Sequence, residues 1–224
     1  MRQSFWYNIN NYPEYAVKMK CNQLTSWTSD KLGGAIEYTG GLGHTFATLL
    51  PMSEYFEEHP EYYCEWNGHS MDGWGQPRVQ PCLTNPDVFE IVLGNVRKLL
   101  EQNPDARIIS VTQNDNTDYC KCDNCAAVDA EEGSPAGTML RFVNAIAEDI
   151  AEDYPNVMID TFAYTYTRKP PKLTVPRENV QVRLCSIECC FLHAINDPDC
   201  KKNRAFMEDL EGWSKICDNL AIWD

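Results

Sequence analysis

Basic residues are few in this chain. It has 19 lysines and arginines against 33 aspartates and glutamates, a formal net charge of −14. A phosphate backbone needs a basic face, so nucleic acid is excluded as the main partner. An anionic membrane surface is disfavoured for the same reason, and neutral substrates stay open. No apolar run approaches the roughly 18 residues of a membrane span. There is no low-complexity tract and no repeat at solenoid periods. No glycine-rich nucleotide fingerprint follows any apolar run, which argues against a dinucleotide-binding fold. Met1 to Asn11 is polar and aromatic and does not read as a signal peptide. The compartment stays open between the cytoplasm and the cell surface, as does the oligomeric state.

What remains is ordinary globular material. Hydrophobic residues make up 43% and charged residues 23%, enough to bury a core. The whole chain, 1–224, reads as one domain. Its 11 cysteines are an odd number, so at least one thiol is unpaired. A chain this long does not need disulfides to fold, which favours free thiols or metal ligands.

Short apolar runs alternate with helical patterns. Asn85-Pro86-Asp87 opens a helix, with Asn85 as N-cap and Pro86 at the first helical position. Val88, Ile91, Val92, Val96, Leu99 and Leu100 follow at helical spacing. Ser134-Pro135 starts a second helix, and Asn203 to Cys217 reads as a third. Strand-type runs cover Arg107 to Thr112, Val157 to Tyr164, Val180 to Ile187 and Leu220 to Trp223. Further upstream, Cys21 to Ser26 and Glu61 to Trp66 read as short strands, Asn67-Gly68 as a turn, and Gly33 to Gly43 as a glycine-rich loop. Met52 to His59 reads as a short helix capped by Ser53. This alternation predicts an α/β fold with a parallel sheet, either doubly wound or a partial (β/α)₈ TIM barrel.

Polar residues gather at the strands' C-terminal ends. The first of the four runs leads into Gln113, Asn114, Asp115 and Asn116. The second leads into Tyr164 and Tyr166, the third into Glu188, and the last ends at Trp223 and Asp224. In a barrel these groups converge on the face where barrel enzymes do their chemistry. Two facing carboxylates suit glycoside hydrolysis, and Asp115 with Glu188 is the obvious pair. A route through a substrate acetamide needs one acid and one orienting group, which Asn114 beside Asp115 could supply. His44, after the glycine-rich loop, can bind a sugar hydroxyl. Trp27, Trp66, Trp74, Tyr164, Tyr166 and Trp223 are candidate stacking surfaces, although single aromatics are more often core. Asn116 and Asp224 join the substrate-binding candidates.

Cys120, Cys122 and Cys125 lie within six residues. Three such thiolates could share a structural zinc with a fourth ligand from Cys64, Cys82, Cys189, Cys190 or His193. A cysteine nucleophile at Cys189 or Cys190 would need His193 to activate it. Catalysis itself needs no cofactor on either hydrolytic route.

Together GHTF (43–46), HPEYY (59–63), QPCLTNPDV (80–88), QNDN followed by YCKCDNC, and SIECCFLH with NLAIWD resemble one family. It is the domain of unknown function 4838, also classed as glycoside hydrolase family 163. The resemblance implies a TIM-barrel hydrolase of bacterial glycan degradation, similar to endo-β-N-acetylglucosaminidases acting on complex N-glycans. It implies an acid at the end of the fourth strand, where Asn114 and Asp115 fall if Arg107 to Thr112 is that strand. Glu188 then ends the sixth strand and Asp224 the seventh, and the first and last strands of the eight are missing. The alternative is a non-catalytic glycan-binding barrel fragment.

Overall fold

The computed structural model describes residues 11–21, 38–64 and 79–223. The sequence readings of a strand over Cys21 to Ser26 (apart from Cys21 itself), a turn at Asn67-Gly68 and roles for Trp27, Trp66, Trp74 and Asp224 lie outside these residues.

Five strands form one sheet: β1 (Tyr38–Thr39), β2 (Ile108–Ser110), β3 (Met158–Ala163), β4 (Val180–Cys185) and β5 (Leu220–Trp223). All neighbours are parallel, and the spatial order is the chain order. A doubly wound sheet would reverse its order at a switch point. Sequential order without reversal is the arrangement of a (β/α) barrel, here an open arc of five described strands. The four strands with clear apolar runs are therefore adjacent, as an assignment to barrel strands four to seven requires.

The helices are α1 (Pro13–Lys18), α2 (Phe46–Leu49), α3 (Met52–Tyr55), α4 (Pro86–Gln102), α5 (Asp123–Glu132), α6 (Ala136–Ile150) and α7 (Lys201–Ser214). In α4 the Asn85 side chain accepts from the Asp87 N–H at 2.9 Å and Pro86 opens the first turn. Val88, Val92, Val96 and Leu100 are buried in the core, with Ile91 and Leu99 packed against it. The Ser134 hydroxyl accepts from the Ala136 N–H and donates to the Lys169 carbonyl, fixing the start of α6. The last helix is shifted two to three residues towards the N-terminus of its expected span, following Cys200 rather than starting at Asn203.

Four local expectations are corrected. The glycine-rich segment contains β1, because Tyr38 and Thr39 pair with Ile108 and Ile109. Glu61 to Cys64 is not a strand. Pro60 fixes φ and starts a 3₁₀ turn over Pro60–Tyr62, leaving Tyr63 a single bridge to Pro81. Ser53 does not cap α3, which follows Pro51 and ends at Tyr55. The cysteine loop runs directly into α5, which hydrophobic periodicity could not reveal: only Cys125 and Glu132 of its ten residues are buried.

The sheet's two faces differ in kind. Ile109, Val111, Ile159, Val180, Val182 and Leu184 pack outward under the helices. The inner face carries Ser110, Asp160, Phe162, Gln181, Arg183 and Trp223, which alternate with them along the strands.

Glu132 closes α5 and holds the proline-rich return loop. Its carboxylate accepts from the Leu173 and Thr174 N–H groups, the Thr174 hydroxyl and the Arg141 guanidinium. Burial alone would raise its pKa, but these donors outweigh burial and hold it at about 2, down from 4.5. A depressed carboxyl stabilises the fold above its unfolded pKa and loses that contribution as pH falls through the folded one. We predict that Glu132→Gln costs on the order of 3 kcal/mol at neutral pH, read by urea unfolding. The variant should also lose the part of the acid dependence that lies between pH 4.5 and about 2.

Candidate functional site

The C-terminal ends of β2 and β3 are tied together by buried amides. Gln113 donates from Nε2 to the Tyr164 carbonyl and the Thr165 hydroxyl, and its Oε1 accepts from Thr167. One residue earlier, Thr112 bonds Thr45, which fixes the loop carrying His44. One residue later, the Asn114 backbone N–H donates to Gln80 Oε1 and its carbonyl accepts from Gln80 Nε2. Gln80 also donates to Asn116 Oδ1. Asp115 is thereby held at the tip of a braced turn.

Three side chains meet there. The Tyr164 hydroxyl donates to Asp115 Oδ1 at 2.9 Å. His44 Nε2 lies 3.9 Å from the same oxygen. His44 Nδ1 lies 2.9 Å from the Gln113 carbonyl, which can only accept, so Nδ1 carries the proton. Neutral His44 therefore presents an acceptor nitrogen towards Asp115, and protonated His44 presents a donor. Burial, followed by the bond to Asp115, pushes the Tyr164 phenol up to about 12, so it remains a donor across the physiological range.

Phe162 is the floor of this group. Its ring lies 5.4 Å from His44, 6.4 Å from Tyr164 and 5.2 Å from Trp223. Two backbone outliers flank the site. His44 (φ 55°) and Thr165 (φ 50°) occupy the left-handed region without being glycine. Such residues cost about 1–3 kcal/mol and persist where surroundings impose them, often at functional sites.

Glu188 adds a small charge effect to that of Asp115 in raising the Tyr164 phenol. It makes no direct contact with Asp115. Arg168 Nη1 donates to Glu188 at 2.8 Å and Arg168 Nε to Asp209 at 2.7 Å, while the Arg168 carbonyl accepts from Trp213. Both candidate acids reach solvent, with 60% of the Asp115 and 48% of the Glu188 side chain exposed.

Three expected site residues do other work. Asn114 is buried, with its carboxamide oxygen taken by the Ala47 N–H and its nitrogen by the Val79 carbonyl. Both polar ends of this side chain are thus engaged by backbone groups. Half-buried Asn116 accepts at its oxygen from Gln80 and from the Asp118 N–H, which shapes the loop. Tyr166 turns away from Asp115 and stacks on Tyr119 at 4.6 Å. There it lines a crevice with Phe46, Asp129 and Met139. Trp223 stays at the site, packed on Phe162 and on the Arg183 guanidinium. Phe162 and Arg168 were not among the expected residues, and Gln113 was noted only as part of the strand-end run. The signal available for the first two was position alone, an apolar ring one turn of the pleat before Tyr164 and an arginine in the loop after it.

Six of the eleven cysteines fall into two groups. Cys82, Cys120, Cys122 and Cys125 place their sulfurs within 4.8 Å of one another, so the fourth member of the predicted trio is Cys82. Cys64 instead donates to the Asp118 carbonyl. Cys190, His193 and Cys200 form a separate group. Cys190 Sγ lies 3.1 Å from His193 Nδ1, and the Leu192 N–H and the His193 ring lower its thiol to about 7.

All 224 residues match the family described as domain of unknown function DUF4838, and the chain belongs to it. No curated protein matches. Among solved structures, the GH36 α-galactosidase AgaB from Geobacillus stearothermophilus is similar at 6% identity and a TM-score of 0.32. The match covers 72% of this chain and 28% of that one, so the chain spans less than a third of that structure's length.

Gly43 shows how tightly the site is packed. A Cβ there would sit 2.3 Å from Phe162 Cζ. Gly43→Ala should push Phe162 off the floor and cost about 1–3 kcal/mol in thermal unfolding. The Phe162 and Tyr164 ring resonances should shift with it, whereas Gly94→Ala on α4, which has open space, should leave them in place.

Proposed function

We propose that this chain carries the catalytic face of a glycoside hydrolase acting on N-acetylglucosamine-containing glycans. The observation that carries the reading is the convergence of Asp115, Tyr164 and His44 at the C-terminal ends of adjacent parallel strands. That end is where barrel enzymes react. Membership of the DUF4838 family and the resemblance of its motifs to glycoside hydrolase family 163 support the substrate class. The acidic surface favours a neutral sugar over a phosphorylated one.

Asp115 is the general acid. Tyr164 takes its Oδ1, which leaves Oδ2 to hold the proton delivered to the leaving glycosidic oxygen. As the bond breaks, positive charge grows on the sugar ring, and the carboxylate left on Asp115 is stabilised by the Tyr164 hydroxyl. Glu188 is held by Arg168 away from contact with Asp115, so it fits charge stabilisation or hydroxyl binding better than direct proton exchange with it. On the route through the substrate, the acetamide oxygen attacks the anomeric carbon. Orienting it falls to Tyr164 and His44, since Asn114 is committed to the scaffold. Trp223 offers an aromatic edge for a sugar ring beside Phe162.

The test is turnover and binding measured separately on the full-length protein, with folding checked by circular dichroism. Asp115→Asn should lower kcat by about 10²–10⁴-fold with the glycan Kd changed only a few-fold. Tyr164→Phe should lower kcat by a smaller factor. If wild-type protein binds the glycan but does not cleave it, the chain is a binding module. Unchanged kcat in both Asp115→Asn and Glu188→Gln would remove the hydrolase reading.

A further inference from the structure

The four-cysteine group lies beside the crevice under Tyr166, away from the proposed catalytic face. Its members come from two separate segments. Cys82 sits between the Gln80 brace and α4, whereas Cys120, Cys122 and Cys125 belong to the loop after Asp115 and the first turn of α5. Cys82, Cys120 and Cys125 are buried and Cys122 is exposed.

The sulfur spacing is informative. Cys82 Sγ lies 3.7 Å from Cys122 Sγ and 3.9 Å from Cys125 Sγ. A disulfide needs about 2.05 Å, so none of these pairs is bonded. Four thiolates about 2.3 Å from a central zinc lie about 3.8 Å from one another, the edge of a regular tetrahedron. The two edges from Cys82 match that figure, and all four sulfurs fall within one 4.8 Å set.

The surroundings suit thiolates as well. Cys122 is the N-cap residue of α5 and Cys125 lies in its first turn, where unpaired N–H groups and the helix dipole favour negative charge. The Thr84 hydroxyl lies 3.2 Å from Cys125 Sγ, 3.6 Å from Cys82 Sγ and 3.8 Å from Cys122 Sγ. A hydroxyl in that position can donate to a metal-bound sulfur, the kind of outer contact that orients ligands.

We propose that Cys82, Cys120, Cys122 and Cys125 bind one structural zinc ion. With four protein ligands the site is closed and has no position for a substrate or activated water. Its work is mechanical. It clamps the segment carrying Gln80 to the loop that follows Asp115, and Gln80 braces both Asn114 and Asn116 around that acid. The assignment does not depend on the hydrolase reading and is tested without an activity assay.

The full chain, purified under reducing conditions without chelator, should carry one zinc per chain by plasma mass spectrometry. Zinc-edge X-ray absorption should show four sulfur neighbours at about 2.3 Å. Cys82→Ser and Cys122→Ser should each weaken zinc retention against a chelator by at least about tenfold, since losing even an outer partner costs 10–100-fold. Cys217→Ala, far along the chain and outside the group, should keep it. If Cys82→Ser does not fold, the absorption spectrum of the wild-type protein still decides. Nitrogen or oxygen neighbours, iron in place of zinc, or folded protein free of metal would overturn the proposal. So would a zinc that survives Cys82→Ser and is lost with Cys200→Ser, which would assign it to the Cys190, His193 and Cys200 group.

Discussion

A buried ion pair on the inner face of the sheet, Asp160 with Arg183, is the interaction on which the rest of the structure depends. Arg183 donates to Asp160 from both Nε and Nη2. Ser110 from β2 and Gln181 from β4 donate to the same carboxylate. Arg183 also donates to the Tyr38 hydroxyl of β1, and its guanidinium lies over the Tyr38, Phe162 and Trp223 rings. All five strands thus contribute to one polar cluster. Burial raises the Asp160 pKa and Arg183 opposes that rise. Such a pair adds little net stability over well-packed apolar residues, but removing one partner strands a buried charge at a cost of about 3–5 kcal/mol. Here it fixes register, because a one-residue slip would turn Asp160 or Arg183 outward into the apolar layer.

Register in turn sets the site. With Asp160 and Arg183 paired across β3 and β4, Phe162 is the next inward residue on β3 and Trp223 is placed against it from β5. Phe162 then supports His44 and Tyr164 from below, and Gln113 links the β2 and β3 ends so that Tyr164 meets Asp115. Interior polar residues therefore act in two layers. The deeper one holds the strands, and the upper one (Gln80, Gln113 and Asn114) consumes its hydrogen bonds to aim one carboxylate at solvent.

Much of the architecture was legible in the sequence. The Asn85-Pro86 cap, the apolar spacing of α4 and the four strand runs were visible because each rests on local chemistry and a clear period. Asp115 and Glu188 stood out as candidates because they follow strand runs directly. β1 was hidden because two residues between glycines carry no periodic signal. α5 was hidden because it buries only Cys125 and Glu132, so no apolar stripe marks it, and it ends at the left-handed Gly133. Asn114 and Asn116 looked like ligands because a loop amide that faces solvent and one that braces the backbone are identical in sequence. Only the partners, Ala47, Val79 and Gln80, tell them apart. Cys82 was one of several possible companions for the trio, and only the packing of the Gln80 segment against the Asp118 to Cys122 loop selects it.

The central claim is that a sugar seats on the C-terminal end of this sheet, against Asp115, Tyr164, His44 and Trp223. Nitrogen-15 NMR of the full chain during titration with di-N-acetylchitobiose tests it most directly. The account predicts that the Trp223 indole and the His44 imidazole resonances move saturably, with the Trp213 indole behind Arg168 unmoved. Shifts confined to Tyr119, Tyr166 and the cysteine loop, or silence at Trp223 and His44 at saturating sugar, would contradict it.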